Sequence, residues 1–169
     1  MKIDYDRSLS KINARAENVR VFREITGLES IPEDREYWTL CNKQSESDYS
    51  EINQMVTAGM IQKCQFHGVD RDGRYIRKNR RLHPTAHWYV GEWLEIIANN
   101  TFNPSFVYLD TWSFADYWIA TDLVTATMNR SPSKTVIFVN VMLNDPRSSR
   151  RFNKDLLLKY IVQSIPAKR

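Results

Sequence analysis

Glycine is the first scarcity. Five occur in 169 residues, and none forms a G-x-G-x-x-G run after an apolar segment. That excludes the close backbone approach to a pyrophosphate on which nicotinamide dinucleotide enzymes depend. No G-x-S-x-G elbow occurs either, and His67, His83 and His87 lie together without an obvious nucleophile, so a Ser/His/Asp hydrolase fits poorly. Cysteine is limited to Cys41 and Cys64. No Cys/His spacing would build a tetrahedral metal site, so no metal is expected, and a reduced interior suits both thiols. No apolar run approaches the ~18 residues of a membrane helix, and residues 1–11 carry no hydrophobic signal core; a cytoplasmic chain without membrane contact is expected. Repeats, low-complexity tracts and linkers are absent as well.

What is present is ordinary globular composition with a surplus of aromatics: 42% hydrophobic, 26% charged and 12% aromatic residues, with five Trp and eight Tyr. A chain of this length buries roughly two-thirds of its unfolded surface and needs no staple. The net charge is +4, and the surplus gathers in residues 71–81, opened by Arg71 and closed by Arg81, and in residues 147–151. Such a run is either a solvated basic face or a surface for nucleic acid.

Residues 7–26 set Leu9, Ile12, Ala16, Val19, Phe22 and Ile25 three or four apart, the stripe of an amphipathic helix stopped by Gly27. Its other face carries Lys11, Arg15 and Arg23, which reads either as a solvated face or as cations for substrate phosphates. From Glu36 onward, short apolar runs alternate with helical stretches. Strands are expected at residues 37–41, 64–69, 86–90, 105–109 and 135–141. Helices are expected at 50–57, 75–82, 94–99 and 114–128, with a last one at 153–162. Apolar strands alternating with helices imply right-handed parallel crossovers and burial on both faces. The expected fold is α/β: a doubly wound, mostly parallel five-stranded sheet, with residues 1–35 as a helical flank and 36–169 as one globular unit.

In such sheets ligands bind beyond the carboxyl ends of the strands, beside the reversal of strand order. Three strand ends carry candidate groups. Asp70 closes the second run, where a carboxylate matches the vicinal hydroxyls of a ribose; because Asp72-Gly73 follows, it also reads as a turn or cap residue. Glu92 and Trp93 follow the third run and suit the amino group and face of a purine, or else a half-buried surface indole. Asp110 follows the fourth run, where it would steer a positive centre or simply cap a helix.

The ordered segments YWTLCN, QFHGVDRD, AHWYVGEW, FVYLDTW and TVIFVNVM resemble the successive strand motifs of class I, Rossmann-like, S-adenosylmethionine-dependent methyltransferases, most of all small phage and prokaryotic forms. The resemblance covers about residues 36–145. It implies S-adenosylmethionine as cofactor, with its methionine part on the loop and helix start that hold Asn42, Gln44 and Glu51. It implies ribose on Asp70 with Arg71 beside it, and adenine on Glu92 and Trp93. Asp110, Thr111 and Trp112 would face the methyl group and its acceptor. The chain departs from the pattern in three ways. Residues 41–47 contain no glycine, where family members usually have a glycine-rich loop. Only 25 residues follow Asn144, too few for a helix plus the usual final hairpin. The fourth run ends in Asp-Thr-Trp and lacks the Pro-Pro-aromatic signature of amino-methylating nucleic-acid enzymes.

Two functional classes follow. A methyltransferase would hold its acceptor in line with the methyl carbon in a dry pocket. The basic residues 71–81 would then favour a nucleic-acid acceptor, with Trp112, Tyr117 or Trp118 available to stack on an extruded base. The alternative is a catalytically inactive binding or scaffold protein of the same fold, forming a homodimer through the sheet edge.

Overall fold

The computed structural model describes residues 9–41, 44, 48–111, 117–132 and 134–141; the helix expected at 153–162 lies outside them. Five strands, β1 (Glu36–Leu40), β2 (Phe66–Asp70), β3 (His87–Val90), β4 (Pro104–Thr111) and β5 (Val136–Val141), form one sheet in the order β3-β2-β1-β4-β5. Every pairing is parallel. The order reverses between β1 and β4, because β3 connects back across the sheet to β4. This is the doubly wound α/β architecture expected, consistent with a Rossmann-like sheet.

Side chains alternate along each strand, so parity assigns the two faces. Tyr37, Phe66, Trp88, Phe106 and Tyr108 pack in one core with Val19 and Phe22 of α1 (Leu9–Thr26), Ile52 and Met55 of α2 (Glu51–Thr57) and Ile76 of α3 (Gly73–Leu82). Trp38, Val69, Val107 and Leu109 point the other way, against Trp93 and Ile97 of α4 (Trp93–Asn99) and Val124 of α5 (Tyr117–Arg130). Tyr37 stacks between Phe66 and Phe106, at centroid distances of 5.4 and 4.9 Å. The aromatic surplus is thus the filling of both layers, since Trp38, Trp93 and Phe102 meet edge-on on the opposite face. Among the described residues, no helix is long and apolar enough to cross a membrane.

Two local expectations need correction. The second strand begins at Phe66; residues 63–65 make a 3-10 turn. Gln65 holds that turn by donating from Nε2 to the carbonyls of Pro32 (2.7 Å) and Arg35 (3.0 Å). The buried face of α1 is also rotated from the apolar stripe. Arg15, Asn18, Val19 and Phe22 are buried, whereas Leu9 and Ile25 are 75% and 66% exposed. Of the cations expected on its outer face, Lys11 and Arg15 point inward, for reasons that lie at the carboxyl edge of the sheet, while Arg23 stays at the surface with Glu29.

Gly68 sets how closely the first layer packs on β2. A Cβ there would lie 2.6 Å from the Trp88 ring and 2.7 Å from the Cys41 sulfur, distances that neither a buried indole nor a strand-end thiol can relieve without moving backbone. Gly68→Ala is expected to cost about 1–3 kcal/mol of stability by overpacking, read from urea unfolding midpoints; an unchanged midpoint would show that the layer yields freely.

Candidate functional site

Because all five strands run the same way, their carboxyl ends share one edge. Parity then puts Thr39, Cys41, Asp70, Tyr108, Asp110 and Asn140 on the face covered by α1, α2 and α3. The strand order reverses between the paired strands β1 and β4, the point at which an open parallel sheet leaves room for a crevice between its helices.

Asp110 is the centre of this edge. Its Oδ2 pairs with Lys11 Nζ of α1 at 3.1 Å, and its Oδ1 accepts from Asn140 Nδ2 of β5 at 2.8 Å. The carboxylate is only 10% exposed, so these bonds carry more weight than a surface ion pair would. One helical turn further, Arg15 donates to the Tyr49 carbonyl (2.7 Å) and to Gln54 Oε1 (3.2 Å). It thereby ties α1 to the loop before α2 and to α2 itself.

Glu51 begins α2, whose first turn is capped by the Ser50 hydroxyl accepting from the Asn53 N–H. The Glu51 side chain is buried and accepts from the Tyr37 hydroxyl at 2.7 Å. Burial raises its pKa, while the Arg15 cation and the hydroxyls of Tyr37 and Thr39 oppose the rise. Tyr37 and Tyr108 are both held protonated, chiefly by burial and further by the nearby carboxylates. Burial also raises the Cys41 thiol, with Glu51 and Asp70 adding to the effect. The crevice is therefore a mixed-charge cluster built from α1, α2, β1, β4 and β5, buried at Arg15, Tyr37 and Glu51 and opening toward water at Asn140.

Asp70 sits at the end of β2, half-buried. Its Oδ1 accepts the Asp72 N–H at 2.7 Å, the turn geometry that Asp72-Gly73 suggested. Among the described residues, no other group hydrogen-bonds this carboxylate. Burial raises its pKa and the Asp72 N–H opposes that shift. Arg71 and Glu92 lie on the outer rim, joined by an exposed ion pair of 2.5 Å that bridges the ends of β2 and β3. Trp93 is elsewhere: it is 3% exposed in the core of the opposite face, edge-on to Trp38 and donating to Thr127 Oγ1 at 2.9 Å. Its indole is committed to α5 and turned away from the crevice. Gln44 is buried near α3, its backbone N–H bonded to Asn79 Oδ1 at 2.9 Å. Asn42 and Trp112 lie outside the described residues.

The edge thus brings together Glu51, Asp70 and Asp110, with Arg71 and Glu92 at its rim. Sequence reasoning singled out Lys11 and Arg15 only as outward cations, solvated or meeting substrate phosphates, and overlooked Tyr37 and Tyr108 as members of the cluster. Strand parity could have supplied Tyr108, two residues before Asp110, and helical spacing could have placed Lys11 and Arg15 on the stripe of Val19 and Phe22.

No protein-family model and no curated protein matches the chain. Among solved structures, it is similar to a TehB-like SAM-dependent methyltransferase from Corynebacterium glutamicum, at 10% identity and a TM-score of 0.49, over 93% of this chain and 84% of that one.

Proposed function

We propose that the chain binds S-adenosylmethionine across the crevice at the β1/β4 reversal and transfers its methyl group, with an acceptor of nucleic-acid type, in the reduced cytoplasm that suits its two free thiols. The observation that carries this reading is the pair of acids Asp70 and Asp110 on one face of the carboxyl edge, one on each side of that reversal. S-adenosylmethionine has a ribose but no phosphate. A loop without glycine, which argues against a pyrophosphate, does not argue against this ligand in the same way.

The residues present suit it at both ends. Asp70, with capacity left on its carboxylate, suits a vicinal diol, and Arg71 and Glu92 flank the outer rim where the purine would extend. At the aminoacyl end, Lys11 and Arg15 suit a carboxylate, and Asp110 and Glu51 suit an ammonium. The cofactor supplies an electrophilic methyl group; the chain's part is to orient the acceptor and exclude water. Asp110 and, beyond the described residues, Trp112 are the groups we assign to the acceptor side.

One observation favours a second reading, a non-catalytic binding or scaffold protein that pairs with a second copy through its sheet edge. The Lys11–Asp110–Asn140 contacts already occupy the centre of the crevice. Calorimetric titration with S-adenosylmethionine separates the two. Binding is expected in the wild type, and Asp70→Ala should weaken it by about 1.5 kcal/mol, roughly tenfold, the scale of a lost charged hydrogen bond. No heat of binding at millimolar ligand would reject the enzymatic reading in favour of the scaffold.

A further inference from the structure

Gln44 belongs to the connection between β1 and α2, yet it is only 2% exposed, whereas a glutamine between two elements is ordinarily out in water. Its backbone N–H donates to Asn79 Oδ1 at 2.9 Å, and Asn79 is itself fully buried in α3. The depth of that contact follows from the topology. α3 starts at Gly73, next to the carboxyl end of β2, and must run back along the sheet to reach the start of the parallel strand β3. Asn79 is six residues into the helix, about 9 Å below the carboxyl edge. Gln44 is therefore drawn down into the helix layer, away from the strand ends above which a ligand-cradling loop would arch. Two further bonds hold the same connection. The Cys41 N–H donates to the Val69 carbonyl at 3.0 Å, and the Tyr49 carbonyl accepts from Arg15 of α1 at 2.7 Å. Without a glycine in residues 41–50, the backbone is fixed at 41, 44 and 49 by bonds from β2, α3 and α1.

We propose that Asn79 is a positioning residue: by holding Gln44 in the helix layer it fixes the β1–α2 connection, and so sets the aminoacyl end of the crevice without touching a ligand. The proposal rests on the cofactor reading and deepens it. It changes the role of Gln44 from ligand contact to anchor. A buried amide needs its partners where it lies, so Gln44 has one place to sit. Glu51, seven residues on, then starts α2 from a chain already held on both sides. Ordering of the connection belongs to folding, and binding does not have to repeat it. The ribose end is independent of this anchor, because Asp70 is placed by β2 and by the Asp72 N–H.

The test pairs hydrogen exchange with two ligands. In Asn79→Ala the Gln44 amide should exchange at least ~10-fold faster, because its acceptor is gone. S-adenosylmethionine should bind about tenfold more weakly, the connection now being ordered at the expense of binding. 5′-Methylthioadenosine, which lacks the aminoacyl end, should bind within ~2-fold of its wild-type affinity. Gln44→Ala leaves α3 intact and should give the same split between the two ligands, so it reads the anchor even if Asn79→Ala folds poorly. Unchanged exchange at Gln44, unchanged affinity for S-adenosylmethionine, or equal weakening of both ligands, the sign of a generally loosened fold, would each overturn the positioning role and leave the cofactor reading standing. A wild-type protein that binds neither ligand at millimolar concentration rejects the cofactor reading, and the positioning role falls with it.

Discussion

Arg15→Met is expected to lower the free energy of unfolding by about 3–5 kcal/mol, the cost of removing one partner from a buried charge cluster. Arg15 is 4% exposed and Glu51 3%, so both side chains are largely cut off from water. Glu51 accepts from Tyr37, and the Arg15 cation opposes the desolvation that pushes its carboxyl up. Methionine fills much of the aliphatic volume of arginine, so the loss would come from charge and hydrogen bonding. The Tyr49 carbonyl and Gln54 Oε1 would also lose their donor. Removing the stranded acid as well should restore part of the loss, so Arg15→Met/Glu51→Gln is expected to be more stable than Arg15→Met alone. Urea unfolding of the wild type, both single variants and the double variant closes this cycle. A cost below ~1 kcal/mol for Arg15→Met would mean that water reaches Glu51, and that the crevice is wet.

The same cluster shows which parts of the molecule were legible in the sequence. The sheet was legible because a strand buried on both faces has to be apolar at nearly every position, and runs such as Thr135 to Val141 have few other uses. The alternation with helices then implied parallel crossovers, and the shared edge followed. The face of α1 was not legible, because what makes burial tolerable for Lys11 and Arg15 lies far along the chain. Arg15 meets Tyr49 and Gln54, and Lys11 meets Asp110, 99 residues away. Hydrophobic periodicity counts such cations as solvent-facing, so it rotated the stripe toward Leu9 and Ile25. Trp93 presents the same difficulty. Its place just after β3 suggested the rim, but Thr127, 34 residues later, draws the indole into the opposite core. Local position located the strand ends well and said little about the direction of the next side chain.

His67 supplies the second large expectation, a loss of stability in mild acid. It lies in β2 between the rings of Trp38 and His87, with centroids at 4.6 and 4.4 Å, and its Nδ1 is 3.1 Å from the Tyr89 hydroxyl. Burial, with the neighbouring His87 adding to it, lowers its pKa from 6.5 to about 3. Glu36 is 4.0 Å from Nε2 and would favour the cation. That carboxylate, however, also takes the Trp38 indole N–H and the Asn103 N–H, both at 2.7 Å on Oε2, and burial prevails. In the unfolded chain the ring protonates near 6.5, and in the folded chain only near 3. Between those values the unfolded state binds more protons, so the native state loses ground as pH falls. The expected loss from this group is roughly 2 kcal/mol at about pH 5 relative to pH 8. Other groups titrate over the same range, so the readout is the comparison of urea midpoints at the two pH values in the wild type and in His67→Phe. The variant keeps the stack and has nothing to protonate. It should therefore be clearly less acid-sensitive than the wild type, whatever its stability at pH 8. Equal acid sensitivity in the two proteins would mean that His67 already takes up its proton in the folded state, with Glu36 as the partner that stabilises it.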